Sequence, residues 1–356
     1  MECVGASPGR SAHALSIESG RILYQTRKLL ARLLGARDSR HILFTLNATM
    51  SINTTLQGLL KPNDVVVTTQ AEHNAIKRPL NALRERLNLE VREIPCDAAM
   101  QLDLKAADSL LTGAKLLACA HINNVCGTRV PLDSLAELAK KHGALFLLDA
   151  AQSVGCVPME SVMERVDFLA FSAHKGLLSP MGIGGLVLSE SGAQNLSPLV
   201  FGGTGSASEE EIQPCFLPDK FESGTPNMHG IAGLRAGLKW IAQKGVCEIE
   251  HEERVMRQIL KEGLLDITGV KVYEGNGSSG GALSVDVERK SLSQVGEMLS
   301  RDYGICTRVG LHCSPSSHRV LGSFVKGGTI RLSVSVFTTR EEIERTIEAF
   351  KEIVRR

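Results

Sequence analysis

Lys175 closes the run Asp167-Phe-Leu-Ala-Phe-Ser-Ala-His-Lys-Gly176, where an apolar stretch gives way to Ser172, His174 and the lysine. A primary amine at the end of a buried strand, beside two side chains able to hold an anion, suits Schiff-base chemistry with a phosphorylated aldehyde. A lysine nucleophile must be partly deprotonated, which burial and nearby cations favour. Asp149 ends a second apolar run, Leu147-Leu148-Asp149-Ala-Ala-Gln152, 26 residues earlier (175 − 149). The pair combines an amine that can capture an aldehyde with an acid that can protonate a ring nitrogen.

Such groups must be delivered by a scaffold, and the pattern around them describes one. Apolar runs at 41–46, 64–69, 89–96, 115–122, 144–150, 167–173 and 182–189 read as strands, with helical patterns at 49–60, 73–87 and 132–142 between them. Alternation of nearly continuous apolar strands with helices predicts an α/β protein with a mostly parallel sheet. Ligands gather at the carboxyl ends of such strands, where Asp149, Gln152, Ser172, His174 and Lys175 all fall. Residues 199–208 and 216–226 are rich in Gly, Pro and Ser and read as a long functional loop. Helices at 227–244 and 246–265 follow. Strands near 280–287, 304–309 and 328–334 then alternate with helices at 291–302 and 340–355, the last opened by the capping pair Thr339 and Glu342. The expected division is a large domain over 14–238 and a smaller α+β domain over 1–13 and 239–356. Met181-Gly-Ile-Gly-Gly185 precedes a strand rather than opening a helix, so it is no dinucleotide fingerprint.

Bulk properties exclude several classes. The 356 residues carry 40 Lys plus Arg against 39 Asp plus Glu, and aromatics make up 4%, which argues against nucleic acid and anionic membrane as partners. No run has the length to span a membrane and the N-terminus has no signal-like apolar core. Nine dispersed cysteines (Cys3, Cys96, Cys119, Cys126, Cys156, Cys215, Cys247, Cys306 and Cys313) form no C-x-x-C pair. They suggest reduced thiols in a cytoplasm.

Seven segments occur in the order of one family's motifs. They are Phe44-Thr-Leu-Asn-Ala-Thr49, Ala71-Glu-His73-Asn74, His121-Ile-Asn-Asn124-Val-Cys-Gly127, Asp149-Ala-Ala-Gln152, Ser172-Ala-His-Lys175, Phe221-Glu-Ser-Gly-Thr225-Pro-Asn227 and Arg308-Val-Gly-Leu-His-Cys313. Over nearly its whole length the chain resembles class V aminotransferase-fold enzymes of the cysteine desulfurase and selenocysteine lyase family, which use pyridoxal 5′-phosphate (PLP). The resemblance implies the fold type I architecture of PLP-dependent transferases and a role for each matching residue. Lys175 would hold PLP and then carry a proton, with Asp149 at the ring nitrogen, His73 on the ring face and Gln152 at the phenolic oxygen. Ala48 and Thr49 at a helix N-terminus would cradle the phosphate with Ser172 and His174. Residues matching Gly203 and Thr225 come from a neighbouring subunit in the family, which implies a homodimer.

The same resemblance assigns the substrate side. Arg331 would clamp the carboxylate of an amino acid by two parallel hydrogen bonds, helped by Asn124 and, more weakly, Arg308. Cys313, 18 residues before Arg331 (331 − 313), matches the cysteine of the compact-loop (group II) desulfurases, which takes sulfur from cysteine as a persulfide, leaves alanine, and can pass the sulfur to an acceptor protein. His312 and Arg308 are expected to favour its thiolate electrostatically. Alternatives keep PLP and change the reaction to selenocysteine lyase, cysteine sulfinate desulfinase or another β-lyase or aminotransferase; a further one is a PLP-binding but inactive relative. Two departures are noted. A segment that precedes the Ser-Pro-Gly-Arg-like stretch in relatives has no counterpart ahead of Gly5, which is expected to loosen the substrate side. Met50 stands where an acidic residue often follows Ala-Thr, which questions the contact at that helix start.

Overall fold

The computed structural model describes residues 5–9, 11–277 and 280–356; Cys3 and Arg10 lie outside the described residues. In chain order the first part comprises α1 (Ala14–Leu34), β1 (Ile42–Thr45), α2 (Ala48–Leu59), β2 (Val65–Thr69), α3 (Asn74–Leu87), β3 (Glu90–Ile94), α4 (Leu104–Leu110), β4 (Leu116–Ala120), α5 (Leu132–Lys141), β5 (Leu145–Asp149), β6 (Phe168–Ser172), β7 (Gly184–Leu188) and α6 (Glu190–Asn195). Then come α7 (Met228–Lys244), α8 (Val246–Leu265), β8 (Val270–Tyr273), β9 (Ala282–Val287), α9 (Leu292–Tyr303), β10 (Arg308–Gly310), α10 (Pro315–Val320), β11 (Thr329–Ser333) and α11 (Arg340–Arg355).

Strands β1 to β7 form one sheet in the order β1-β7-β6-β5-β4-β2-β3. The five strands from β6 to β3 run parallel, whereas β7 is antiparallel to both β6 and β1. The central strands are apolar along their length because both faces are covered. Ile22 and Leu30 of α1, Leu135 of α5 and Leu234 of α7 belong to the core on one face, and Ile52 of α2 and Ile76 and Leu80 of α3 to the core on the other. The parallel strands therefore deliver the carboxyl ends of β2, β4, β5 and β6 to the same edge of the sheet.

The second sheet is antiparallel in the order β10-β11-β9-β8. Its core takes Leu260 and Leu264 of α8, Leu299 of α9 and Phe350 of α11. Gly245, at φ +86°, joins α7 to α8. The first turns of α8 (Val246, Ile249) pack in the first core and its last turns in the second, so one helix joins the two layers. The expected capping box of α11 forms, with Thr339 and Glu342 exchanging hydrogen bonds.

Three local expectations differ from what is found. Helix α1 was not anticipated from the apolar pattern, because Ser16, Ser19, Thr26 and Arg27 share its buried face with Ile22 and Leu30. Strand β10 begins only at Arg308, since Gly304 ends α9 in the left-handed region and the chain stays irregular to Thr307. The start of α2 is secure without an acidic residue, since Asn47 accepts from the Met50 N–H at 3.0 Å.

Candidate active site

The floor of a narrow cleft lies at the carboxyl edge of the large sheet, lined among others by Ala48, Thr49, His73, Asn124, Asp149, Gln152, Ser172 and Lys175. Asp149 ends β5 and is buried, with the Ala151 N–H donating to its Oδ1 at 3.0 Å. Ser172 ends β6; its hydroxyl oxygen accepts from the Ala48 N–H at 2.9 Å and so ties the strand to the N-terminus of α2. Thr49 sits in that first helical turn, where N–H groups outnumber their partners. Lys175 follows in a turn closed by Leu178 N–H to the Lys175 carbonyl at 3.0 Å. The loops after β5 and β6 meet at Gly155 and Gly176: a Cβ on Gly176 would stand 2.5 Å from both the Val154 carbonyl oxygen and Cys156 Sγ, and one on Gly155 2.3 Å from the Gly176 carbonyl oxygen. Absence of both Cβ atoms lets the acid-bearing and amine-bearing loops pack together.

Lys175 opens to cleft solvent but is walled by protein. This desolvation lowers its pKa first; Asp149 opposes the shift, while Arg331 and Arg308 add to it. The result favours the neutral, nucleophilic amine. His73 caps α3, its Nδ1 accepting from the Ala75 N–H at 3.0 Å, so a neutral ring carries its proton on Nε2. Desolvation lowers the His73 pKa, with Asp149 acting against it and Lys175, Arg308 and Arg331 with it.

The small sheet roofs the site from outside the lining itself: Arg331 and Arg308 stand close enough to act on Lys175 and His73, but neither they nor Cys313 line the cleft. Arg308 and Arg331 face each other across β10 and β11, and an Arg308 Nη2 donates to Cys313 Sγ at 3.1 Å. Arg331 Nη1 donates to the Asn124 carbonyl at 3.1 Å, while its buried Nε has no protein partner among the described residues. Burial and then Arg308 push the Arg331 pKa down. Cys313 is exposed. His312 and Cys313 both occupy the left-handed region, at φ +51° and +60°, a conformation that non-glycine residues adopt only when their surroundings hold it.

Those surroundings are a set of hydrogen bonds to main-chain carbonyls, most of them donated by side chains. The His312 carbonyl accepts from Asn124 Nδ2 at 2.7 Å and the Cys313 carbonyl from the Asn74 N–H at 2.8 Å. Ser314 and Ser316 hydroxyls both donate to the Glu72 carbonyl, at 3.0 and 2.8 Å, and Ser317 donates to the Ala71 carbonyl at 2.9 Å. The thiol loop is thereby clamped onto the segment that carries His73.

Not every expected residue converges. His312 does not supply charge to Cys313: it is buried, desolvation takes its pKa down to about 3, and it is neutral. Its tautomer follows from its neighbours. The Ser284 hydroxyl donates to the Val125 carbonyl and the Thr329 hydroxyl to Ser284 Oγ, so His312 Nε2 donates to Thr329 Oγ1 at 3.0 Å. His174 is exposed and is not among the residues lining the cleft. Gly203 and Thr225 lie together elsewhere, joined by the Gly224 N–H to the Gly203 carbonyl at 2.8 Å. Thr225 lines a broader depression with Leu46, Met50 and Val200. That depression is larger, but the amine and carboxylate are in the smaller cleft, and the chemistry is placed there. Sequence reasoning missed the serines at 314, 316 and 317 and the Glu72 carboxyl, because a Ser/Pro stretch reads as an ordinary turn and an acid beside a histidine carries no spacing signal.

Comparison with known proteins agrees with this fold. The profile of the family described as Aminotransferase class-V matches residues 2–346. A probable cysteine desulfurase of Pyrococcus abyssi is 32% identical over 98% of this chain and 88% of its own length. A cysteine desulfurase of Shigella flexneri is 31% identical over 98% of this chain and 87% of its own. The apo structure of a cysteine desulfurase from Thermococcus onnurineus NA1 superposes with a TM-score of 0.92 at 33% identity, covering 99% of this chain and 88% of that one. With the family profile matched over residues 2–346 and relatives aligned over nearly its whole length, this chain belongs to the class V aminotransferase family.

Proposed function

We propose that the protein is a PLP-dependent cysteine desulfurase that converts L-cysteine to L-alanine and receives the sulfur on Cys313 as a persulfide. The donor set fits the cofactor. The cleft offers one amine, one buried carboxylate and a helix N-terminus, and the buried Nε of half-buried Arg331, without a partner among the described residues, leaves guanidinium capacity for an anion nearby. When bound, PLP supplies an electron sink for the α-carbon of an amino acid.

The chain's own groups divide the remaining work. Lys175 would hold the aldehyde carbon, and its Nζ would move a proton during the reaction. Asp149 would keep a proton on the ring nitrogen, His73 would cover the ring face, Gln152 would reach the phenolic oxygen, and Ala48, Thr49 and Ser172 would hold the phosphate, with His174 left outside the cleft. Arg331 and Asn124 orient the substrate carboxylate, with Arg308 nearby. Cys313 attacks the substrate sulfur: an S–S bond forms, the substrate Cβ–S bond breaks, and protons complete alanine. Cysteine plus enzyme thiol thus becomes alanine plus enzyme persulfide, with no outside oxidant or reductant.

The observation that carries this reading is the exposed Cys313 thiol, gripped by Arg308 in a loop seated on His73. Cys313→Ala is expected to reduce sulfur release from cysteine by at least about 1000-fold and to spare alanine formation from selenocysteine more. Unchanged cysteine turnover would remove the assignment.

A homodimer sharing its sites fits the apolar rim beside Gly203 and Thr225, where Leu46, Val200, Phe201 and Phe216 are exposed. A sulfur-acceptor protein and a cytoplasmic setting complete the reading. The division that goes with this reading is a large domain over 14–238 and a smaller one over 1–13 and 239–356.

A further inference from the structure

Glu72 has a side chain only 1% exposed, among groups that do not neutralise it. Its Oε1 accepts from the Thr69 hydroxyl at 2.6 Å, and its two oxygens accept from the Ala120 N–H at 3.2 and 3.0 Å. Ala120 is the register partner of Asp149 in the parallel pair of β4 and β5. The Glu72 carboxyl therefore stands one strand over from the carboxylate assigned to the ring nitrogen. The charged and titratable groups around it are Asp149 on β5, Lys77 on α3, the Cys119 thiol on β4, the Cys96 thiol after β3, and His73 next in the chain. Lys77, the one fixed cation among them, is paired with Glu93 at 2.7 Å. The main-chain carbonyl of the same residue accepts from Ser314 and Ser316 of the thiol loop.

Building on the cofactor reading above, we propose that Glu72 is a positioning residue acting through Asp149: the charge of its buried carboxyl sets how firmly Asp149 and the ring nitrogen share a proton, while its carbonyl fixes the Cys313 loop over the same site. A negative charge one strand away raises the proton affinity of every cationic acid nearby. Burial, with Asp149 adding to it, pushes Glu72 up to about 7 against the hydrogen bond from Thr69. Its charge therefore changes across neutral pH, and it reaches the cofactor without touching it. Glutamine keeps an oxygen for Thr69 and Ala120 and leaves the carbonyl in place, so the side chain can be tested apart from the loop.

The test is a pH titration of the cofactor absorbance in the holoprotein. The wild-type band, absent from Lys175→Ala, is expected to show a component centred near neutrality. Glu72→Gln should abolish that component. Thr69→Val, which removes the donor that favours the ionised form, should move it upward by about one pH unit. A Glu72→Gln titration that superimposes on the wild type overturns the proposal. Should that variant not fold, an unmoved midpoint in Thr69→Val does so. If no Lys175-dependent band exists at all, the cofactor reading fails and takes this one with it; a band that ignores residue 72 overturns the positioning role alone.

Discussion

At the floor of the cleft, Asp149 ends a strand and Lys175 follows one within three residues, both strands laddered to neighbours on either side; at the roof, Arg331 lies on a strand but Cys313 hangs from a left-handed loop beyond a three-residue one. The floor inherits its geometry from main-chain pairing that any suitable apolar sequence would make. The roof depends on particular side chains, since Asn124 and three serines grip carbonyls across the gap between the sheets. Cofactor placement should therefore withstand substitutions that disable sulfur transfer.

After Cys313→Ala, removing Arg331 is the most severe break on the roof side. Arg331→Ala should lower kcat/KM for cysteine by roughly 100-fold, as expected for a lost charge-assisted bidentate contact, and leave the Lys175-dependent absorbance band intact. Steady-state kinetics beside the spectrum would check this; loss of the band would mean that roof and floor are not separable. A gentler break is Ser317→Ala, which removes one clamp worth about 1 kcal/mol. Turnover should fall roughly fivefold with cofactor affinity unchanged, and a fall in cofactor affinity instead would count against the division.

The seam between the two regions offers the smallest effect. Glu253 on α8 is buried, with Cys156 behind Lys175 on one side and the Val336 N–H beyond β11 on the other, and burial pushes its pKa up to about 7. In the unfolded chain this carboxyl ionises near its ordinary value, about 4.3. As pH rises between these values the unfolded state sheds the proton first, so folding loses stability until the folded pKa is passed. Glu253→Gln should flatten that decline and raise Tm by a few degrees at pH 8 relative to pH 5, measured by thermal unfolding. An unchanged pH profile would place the seam's stability in its apolar contacts alone.

The same contrast explains what could be read from the sequence. Period-two and continuous apolar runs locate β2, β4, β5 and β6, and residues at their carboxyl ends converge for that reason alone. Lys175, Asp149, Ser172 and the α2 N-terminus were legible because sheet geometry is local and repetitive. The clamp from Ser314 to Ser317 spans more than 240 residues of sequence to reach Glu72 and Ala71, and no periodicity encodes such a contact. His312 was misjudged as a charge donor because proximity in sequence to Cys313 says nothing of burial.

The acceptors in that clamp are main-chain oxygens, and every amino acid supplies one. Drift at position 71 can proceed without loosening the thiol loop, provided the backbone path is kept, whereas each serine is individually exposed to selection. Tolerance to mutation is thus unequal on the two sides of one contact: at buried Ala71, packed with Met100 and Cys126, only side-chain volume is constrained, and a saturation library spanning 71 and 314–317 should accept small residues at the first position and be narrow at the serines.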